Sequence, residues 1–289
     1  MKRFAKELRV HPGEEVDLKR RPTLIKPVYE SKVEYQRLLD EHVARLSAVQ
    51  ELLYATNRYA FLVIFQAMDA AGKDGCIKHV MSGVNPQGCD VFTFSHPTPV
   101  ELRHDFLWRT TRDLPERGKI AIFNRSYYEE VLIVRVHPEI LLAEALPDDG
   151  EAKKIWQDRY RSIVGLERHL NESGTRIVKI FLHISKEEQR RRLLARIDTP
   201  EKNWKIKPSD IEERKDWSQY RKAYEDCLAA TSTRDAPWYV IPADDKLTAR
   251  LLVSHIILET LEGLNLTFPE ITPERQKELQ AMRKQLEGE

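Results

Sequence analysis

The chain has 289 residues, of which 41% are hydrophobic, and its 47 basic residues nearly balance its 46 acidic ones. This apolar content is enough to bury one main core, which excludes a largely disordered protein. The near-neutral charge argues against a surface coated in positive charge for bulk nucleic-acid binding, so any anion site must be local.

Nothing in the sequence indicates export or membrane insertion. No stretch approaches the roughly 20 apolar residues that a membrane helix needs, and the start, MKRFAKELRV, lacks the apolar run of a secretory signal. The three cysteines are widely spaced and odd in number, which favours reduced, structural thiols over a disulfide framework or a zinc cluster. We expect a cytoplasmic protein that makes no contact with a membrane.

The start of the chain divides into an arm and a helix. Residues 1–30 are rich in charge and proline without clear periodicity, which indicates an arm lying over the surface. From about Ser31 to Tyr54, apolar residues recur at helical spacing, and Ser31 is suited to the N-cap position. We therefore predict a long amphipathic helix in this segment.

Four short, β-prone apolar runs follow at wide intervals. They occupy residues Ala60–Gln66, Ile120–Phe123, Ile177–Ile184 and Trp238–Ile241. Continuous apolar runs are typical of strands buried on both faces of a parallel sheet, and the intervals are long enough for helical crossovers. The pattern predicts an α/β fold, and the polar segment from Thr272 onward predicts a C-terminal helix.

The first apolar run leads into a candidate phosphate loop, the segment AMDAAGKDG that ends at Gly75. A strand, a Gly-Lys turn and a helix form a phosphate cradle, because backbone N–H groups face the anion while the lysine adds positive charge. The match to the usual Walker motif is incomplete, since Ala67 replaces its first glycine and Asp74 its hydroxyl residue. Lys73 is the predicted phosphate-gripping side chain. The full predicted phosphate-binding set is Ala70, Ala71, Gly72, Lys73, Asp74, Gly75, Lys78, His79, Lys202 and Lys205.

Two acidic residues, Asp69 and Asp74, flank this lysine. Carboxylates beside a phosphate site make electrostatic sense when a cation is also present, and Mg²⁺ binds carboxylate and phosphate oxygens together. We therefore expect Mg²⁺ as a cofactor, with Asp69 as a ligand. The alternative is that Asp69 is only a turn or cap residue.

The second apolar run ends in Asn124 and Arg125. Ligand sites in open α/β sheets lie beyond such strand ends, so both side chains should face the phosphate loop. Nucleoside-monophosphate kinases commonly have Asp-Arg here, the arginine neutralising the transferred phosphoryl group. Asn124 favours an outer-shell or water-mediated metal contact instead. The alternative for Arg125 is a surface ion pair with Glu129 or Glu130.

A basic helix begins after the third apolar run, with Ser185 and Glu188 in capping-box spacing. Arg192 and Arg196 are spaced i, i+4 and share one face of this helix. Such a helix is often merely solvated. Beside a phosphate loop, however, an arginine helix followed by the basic segment Lys202–Lys205 suits a closing lid that adds charge and excludes water.

Several segments together resemble the family-2 polyphosphate kinases over about residues 30–270: MDAAGKDG, HVMSGVNPQG, DFLWRTTRDLPERGK, FNRSYYEEVLIVRVHPE, KNWKI and TSTRDAPWYVIPADDK. The resemblance implies a three-layer α/β/α P-loop kinase fold related to thymidylate kinase, with a helical lid. It also implies reversible, Mg²⁺-dependent phosphoryl transfer between inorganic polyphosphate and AMP or ADP to form ADP or ATP, and a homo-oligomer, either dimer or tetramer. The catalytic residues carried over by position are Asp69, Lys73, Arg125, Arg192 and Arg196.

The segment FNRSYYEE, which ends at Glu130, refines this resemblance. Family members that use only ADP look like FDRSWYNR here, whereas this chain is similar to the class III group that phosphorylates both AMP and ADP. The predicted contacts to the acceptor nucleotide are Asn124, Tyr128, Glu129 and Glu130, with Glu129 as a second metal ligand. The predicted division of the chain is an arm at 1–30, a phosphotransferase domain at 31–270 with a lid at about 186–222, and a tail at 271–289.

Two alternatives stay open at this point. An ATP-dependent nucleoside-monophosphate kinase shares the loop, the arginine and the lid, but needs a base pocket for each of two nucleotides. A noncatalytic polyanion-binding module needs basic residues but no loop acids, so the pairing of Asp69 with Lys73 argues against it. The sequence does not distinguish adenine from guanine, one direction of transfer from the other, or short polyphosphate from long.

Overall fold

A five-stranded parallel sheet lies at the centre of the fold, which was obtained as a computed structural model describing residues 2–144 and 152–289. The strands are β1 (Ala60–Ala67), β2 (Cys89–Thr93), β3 (Ile120–Asn124), β4 (Thr175–His183) and β5 (Trp238–Pro242). Their order across the sheet is β2-β3-β1-β4-β5, and every neighbouring pair is parallel. The prediction of an α/β fold with a parallel sheet is confirmed.

Four of the five strands lie where the apolar runs predicted them, and β2 was missed. β2 pairs only with β3 and so forms an edge of the sheet. Its sequence, CDVFT, contains no continuous apolar run, and Val91 remains 51% exposed. An edge strand that is only partly covered leaves no clear hydrophobic signal.

Helices make up the rest of the regular structure. They are α1 (Lys2–Leu8), α2 (Lys32–Thr56), α3 (Lys73–Val80), α4 (Trp108–Thr111), α5 (Ile133–Val136), α6 (Pro138–Ala143), α7 (Ala152–Glu172), α8 (Lys186–Ile197), α9 (Pro208–Glu212), α10 (Trp217–Thr231), α11 (Lys246–Glu262) and α12 (Pro273–Glu287). The predicted caps Ser31 and Ser185 are confirmed, and Thr272 caps the predicted C-terminal helix. Each of the three accepts a hydrogen bond from the backbone N–H three residues later.

Two hydrophobic cores cover the two faces of the sheet, because alternate residues of a strand point to opposite faces. Phe61, Val63 and Phe65 of β1 pack in the core that includes residues of α2, α3 and α11. Leu62 and Ile64 pack in the other, with residues of α7 and α10. The result is the predicted three-layer α/β/α arrangement, in which the carboxyl ends of β1, β3 and β4 meet at one edge.

The N-terminal arm is part of this packing. Val10, Val16 and Leu18 are buried, and the Val10 backbone N–H donates to the carbonyl oxygen of Trp238 at 2.9 Å. The ring of His183 donates to the Leu18 carbonyl oxygen at 3.0 Å. The arm therefore covers the β5 edge of the sheet, which would otherwise expose unpaired backbone groups.

The C-terminal helix α12 forms as predicted and is exposed along its whole length. Within the described part of the chain, no helix is long and apolar enough to cross a membrane. The three cysteines are free thiols, as expected, with Cys76 and Cys227 buried.

Candidate active site

The phosphate loop joins the end of β1 to the start of α3 and contains two residues in the left-handed region. Ala70 has φ of 59° and Gly72 has φ of 100°. Alternation between left- and right-handed residues turns successive peptide N–H groups into one concavity, which suits an anion. α3 then begins at Lys73, so the positive end of its dipole faces the same place.

Lys73 stands at the centre of a charged cluster. Its Nζ donates to the carbonyl oxygen of Ala67 at 3.3 Å, which folds the side chain back along the loop. Burial lowers the pKa of Lys73, with Arg125 adding to the effect, while the carboxylates of Asp69, Glu129 and Asp74 oppose it. The predicted loop and β3 residues are therefore brought together around one ammonium group.

Two residues at the end of β3, Asn124 and Arg125, contact the two acidic residues of the loop. Asn124 donates through its side-chain amide to Oδ1 of Asp74 at 2.8 Å. Arg125 lies 3.4 Å from Oδ1 of Asp69, and its own backbone has φ of 65°. A non-glycine residue in this region is strained, and such strain persists where the surroundings impose it, often at functional sites. The prediction that Asn124 and Arg125 face the loop is confirmed.

A cavity opens beside Arg125, between β3 and the segment that links β2 to β3. Six of the residues that line it are Phe106, Arg109, Arg125, Glu129, Glu130 and Ile133. Arg109 is buried, and its Nε has no hydrogen-bond partner among the described residues. Glu129 is the largest influence on the pKa of Arg125 and raises it. The cavity thus offers apolar walls and a buried cation, and it is linked to the phosphate loop by Arg125, which lines it and pairs with Asp69.

The sequence matches the Polyphosphate kinase 2 family over residues 29–269. The chain belongs to this family. It is 63% identical to an ADP-polyphosphate phosphotransferase of Rhodopseudomonas palustris, over 99% of each chain. It is 50% identical to an AMP/ADP-polyphosphate phosphotransferase of Meiothermus ruber, over 78% of this chain and 80% of that one. Among solved structures, polyphosphate kinase 2 from Arthrobacter aurescens superposes with a TM-score of 0.85 at 38% identity, covering 96% of each chain.

Arg192 does not project toward the transferred phosphate as the prediction of a lid arginine required. Its side chain is 5% exposed. Nε donates to Glu188, and the two terminal nitrogens donate to the carbonyl oxygens of Ala70, Ala71, Ala243 and Asp244. A guanidinium group has five N–H donors, and here all five contacts are made to the protein. The prediction of a mobile, phosphate-binding Arg192 is wrong for this structure.

Tyr128 lies in the core and does not line the cavity beside Arg125. It is fully buried, and its hydroxyl donates to Glu167 at 2.8 Å and accepts from Lys179 at 2.9 Å. The prediction that Tyr128 contacts the nucleotide is therefore wrong. The prediction rested on the family resemblance of this segment, which does not show where each side chain points. Tyr127–Val131 is a 3₁₀ helix, which directs neighbouring side chains to different sides.

Glu130 lines the cavity but pairs with cations that the sequence did not indicate. It is 6% exposed, and Oε2 accepts from Arg159 at 3.2 Å, while Oε1 lies 3.9 Å from Arg109. Arg135, a nearby basic residue in the sequence, instead donates to Asp226 at 2.6 Å. Its neighbour Glu129 is half-buried at the cavity wall, as the acceptor prediction requires.

The remaining predicted phosphate ligands belong to α3, α8 and the segment after α8. Lys78 is exposed on the last turn of α3, and the ring of His79 donates to the Gly75 carbonyl of the same helix. In the last turn of α8, the Arg196 guanidinium donates to the Lys205 carbonyl. Lys202 and Lys205 are exposed, and their contact with phosphate stays a prediction, as does that of Arg196.

Two residues of this site were not predicted from the sequence: Gln189 and Arg109. Gln189 donates through Nε2 to the Asp69 carbonyl at 3.0 Å, which places a neutral side chain against the loop. Its spacing of i, i+3 from Arg192 on a capped helix was the available signal. Arg109 reaches the cavity only through tertiary contacts. The buried Lys179, which holds Tyr128 in the core, was also missed.

Proposed function

We propose that this Polyphosphate kinase 2 family member transfers phosphoryl groups reversibly between inorganic polyphosphate and AMP or ADP. The observation that carries the proposal is the position of Arg125, which faces the phosphate loop through Asp69 and lines the cavity beside β3. The names of its relatives support polyphosphate as the donor and AMP and ADP as the acceptors.

The donor end of polyphosphate is assigned to the phosphate loop. The N-terminus of α3 and the free loop N–H groups would face an anion bound there, and Lys73 adds a positive charge at the base of the site. Phosphoryl transfer asks a protein mainly to position the reactants and to stabilise charge. These groups supply both functions.

The acceptor nucleotide is assigned to the cavity. The apolar side chains of Phe106 and Ile133 offer a surface for a planar base, and Arg125, which lines the same cavity, can hold the acceptor phosphate in line with the donor. The same guanidinium group would then contact the phosphoryl group in transit. Glu129, also on the cavity wall, is suited to bind Mg²⁺ or its waters.

The residues fit Mg²⁺. Asp69 lies 3.4 Å from Arg125 and Glu129 lines the cavity beside the same arginine, and both carboxylates raise the pKa of Lys73. No cluster of three or more metal-ligating side chains occurs in the described ranges. Mg²⁺ is commonly bound by one or two carboxylates, with substrate phosphates and water completing its shell. When bound, the ion would neutralise phosphate charge, while Lys73 and Arg125 orient the reactants.

The assembly and location of the protein stay predictions from the sequence. We propose a cytoplasmic homo-oligomer, supported by three free thiols and by the family resemblance. Size-exclusion chromatography with light scattering would measure the oligomeric state.

A donor and acceptor panel tests the proposed function. Purified protein with Mg²⁺ is given AMP or ADP as acceptor, and polyphosphate or ATP as donor, and the products are separated by ion-exchange chromatography. We expect ADP and ATP to form when polyphosphate is the donor. Phosphorylation of AMP from ATP alone would instead indicate a nucleoside-monophosphate kinase.

Lys73→Ala is the matched inactive variant. Loss of one preorganised charge at a transfer site typically costs about 3 kcal/mol, or roughly a hundredfold in rate. Because Lys73 is the first residue of α3 and packs in neither core, the thermal unfolding midpoint should change little. A variant with near wild-type turnover would contradict the assignment of the phosphate site.

A further inference from the structure

Three successive peptide carbonyls of the phosphate loop are held by two side chains of α8. Gln189 donates to the carbonyl oxygen of Asp69 at 3.0 Å. Arg192 donates to those of Ala70 and Ala71, at 3.2 and 2.6 Å. Because the N–H and C=O of one peptide point in opposite directions, fixing the Asp69 and Ala71 carbonyls on the α8 side turns the N–H groups of Ala70 and Gly72 toward the anion side. The N–H that follows the Ala70 carbonyl, that of Ala71, donates to the Met68 carbonyl at 3.3 Å and closes the turn.

The loop needs such a restraint. Ala70 is in the left-handed region, which costs an L-residue about 1–2 kcal/mol relative to the right-handed one. A strained conformation persists where surrounding contacts over-determine it. The contact of Arg192 with the Ala70 carbonyl is such a restraint, and it acts on the strained residue itself.

Both side chains are themselves fixed. Nε of Arg192 donates to Glu188 at 2.6 Å, and one terminal nitrogen donates to the Ala243 carbonyl, just after β5. The side-chain oxygen of Gln189 accepts from Arg214 at 2.6 Å, which holds its amide nitrogen toward Asp69. Arg192 therefore ties the loop to two other elements of the fold, α8 and the end of β5.

We propose that Gln189 and Arg192 are positioning residues that clamp the phosphate loop in its anion-binding conformation. The inference rests on the proposed use of this loop for polyphosphate. It assigns Arg192 no contact with substrate, since its donors are taken by the protein. It also limits lid movement: the first two turns of α8 stay attached to the loop, and any closing motion begins after Arg192.

The test compares Arg192→Lys, Arg192→Ala and Gln189→Met, with Arg190→Lys as the control. Arg190 lies on the exposed face of α8 and pairs with Glu187. Calorimetry measures binding of tripolyphosphate, and initial rates give kcat and KM for AMP with polyphosphate, all well below each variant's unfolding temperature. Binding is measured independently of transfer, so failure of the clamp and failure of the proposed reaction give different results.

A lysine keeps the charge, but its single ammonium group cannot span the loop and the end of β5. We expect Arg192→Lys to weaken tripolyphosphate binding at least about tenfold, the scale of one charge-assisted hydrogen bond, and nearly as much as Arg192→Ala. Gln189→Met should also weaken tripolyphosphate binding and lower kcat, although it changes no charge. Arg190→Lys should leave both unchanged.

Three results would overturn the inference. Near wild-type affinity and kcat in Arg192→Lys, with loss only in Arg192→Ala, would mean that the charge acts on substrate directly. If Arg192 variants do not fold, unchanged affinity and kcat in folded Gln189→Met still rejects the clamp. Failure of the wild-type protein to bind tripolyphosphate would reject both the clamp and the phosphate site.

Discussion

The buried ion pair between Lys179 and Glu167 gives a quantitative test of how the site is supported. Both side chains are at most 1% exposed, and Nζ of Lys179 lies 2.5 Å from Oε2 of Glu167. The same ammonium donates to the hydroxyl of Tyr128 and to the carbonyl of Thr231. Glu167 also accepts from the Tyr127 and Tyr128 hydroxyls, at 3.0 and 2.8 Å.

Replacing Lys179 with methionine would leave the Glu167 carboxylate buried without a cation. Removal of one partner from a buried ion pair typically costs 3–5 kcal/mol. The two tyrosine hydroxyls still donate to Glu167, so we expect about 3 kcal/mol, at the lower end of that range. This is a large part of the roughly 5–15 kcal/mol by which a folded domain is stable.

A double-mutant cycle measures the pair itself. Lys179→Met, Glu167→Met and the double variant are unfolded in urea at one protein concentration, and the unfolding free energies are compared. The double variant contains no buried unpaired charge, so its loss should be smaller than the sum of the single losses by at least about 1.5 kcal/mol. Losses that simply add, or a Lys179→Met loss below about 1 kcal/mol, would refute this reasoning.

Two further predictions concern the acceptor cavity. Glu129→Asn should lower the rate with AMP more than with ADP in the polyphosphate assay. Glu129 lines the cavity beside Arg125 and raises the pKa of that arginine. Equal losses, or the same effect from the exposed control Glu116→Asn, would contradict a role in acceptor length. Burial raises the pKa of Glu130 to about 7 from an ordinary 4.5, with Glu144 adding to the rise and Arg159 opposing it. The folded protein then holds this proton more tightly than the unfolded chain, so the glutamate costs stability increasingly from about pH 4.5 to about pH 7. Glu130→Gln should gain stability relative to wild type over that interval in thermal unfolding, and a pH-independent difference would contradict the shift.

Much of the fold was predictable because buried parallel strands leave local signals. The runs at β1, β3, β4 and β5 are continuous and apolar, since both faces of the sheet are covered. β2 escaped prediction because an exposed edge strand does not need an apolar run. The buried Val10 and Leu18 in the arm were also missed, because their partners lie more than 150 residues away in the sequence.

For the site, the sequence by itself determined which groups meet at the sheet edge. The phosphate loop follows β1, Asn124 ends β3 and Arg125 follows it, and parallel strands bring their carboxyl ends together. No tertiary detail was needed for that inference.

Only the tertiary structure decided which side chains face the substrate and which face the protein. Helical spacing placed Arg192 beside the loop, but its donors point to backbone carbonyls that no sequence pattern marks. Tyr128 turns into the core, where its hydroxyl accepts from Lys179 of β4. Lys179 in turn pairs with Glu167 of α7. Hydrogen-bond partners of a long polar side chain depend on three-dimensional contacts between distant segments, and local periodicity carries no information about them.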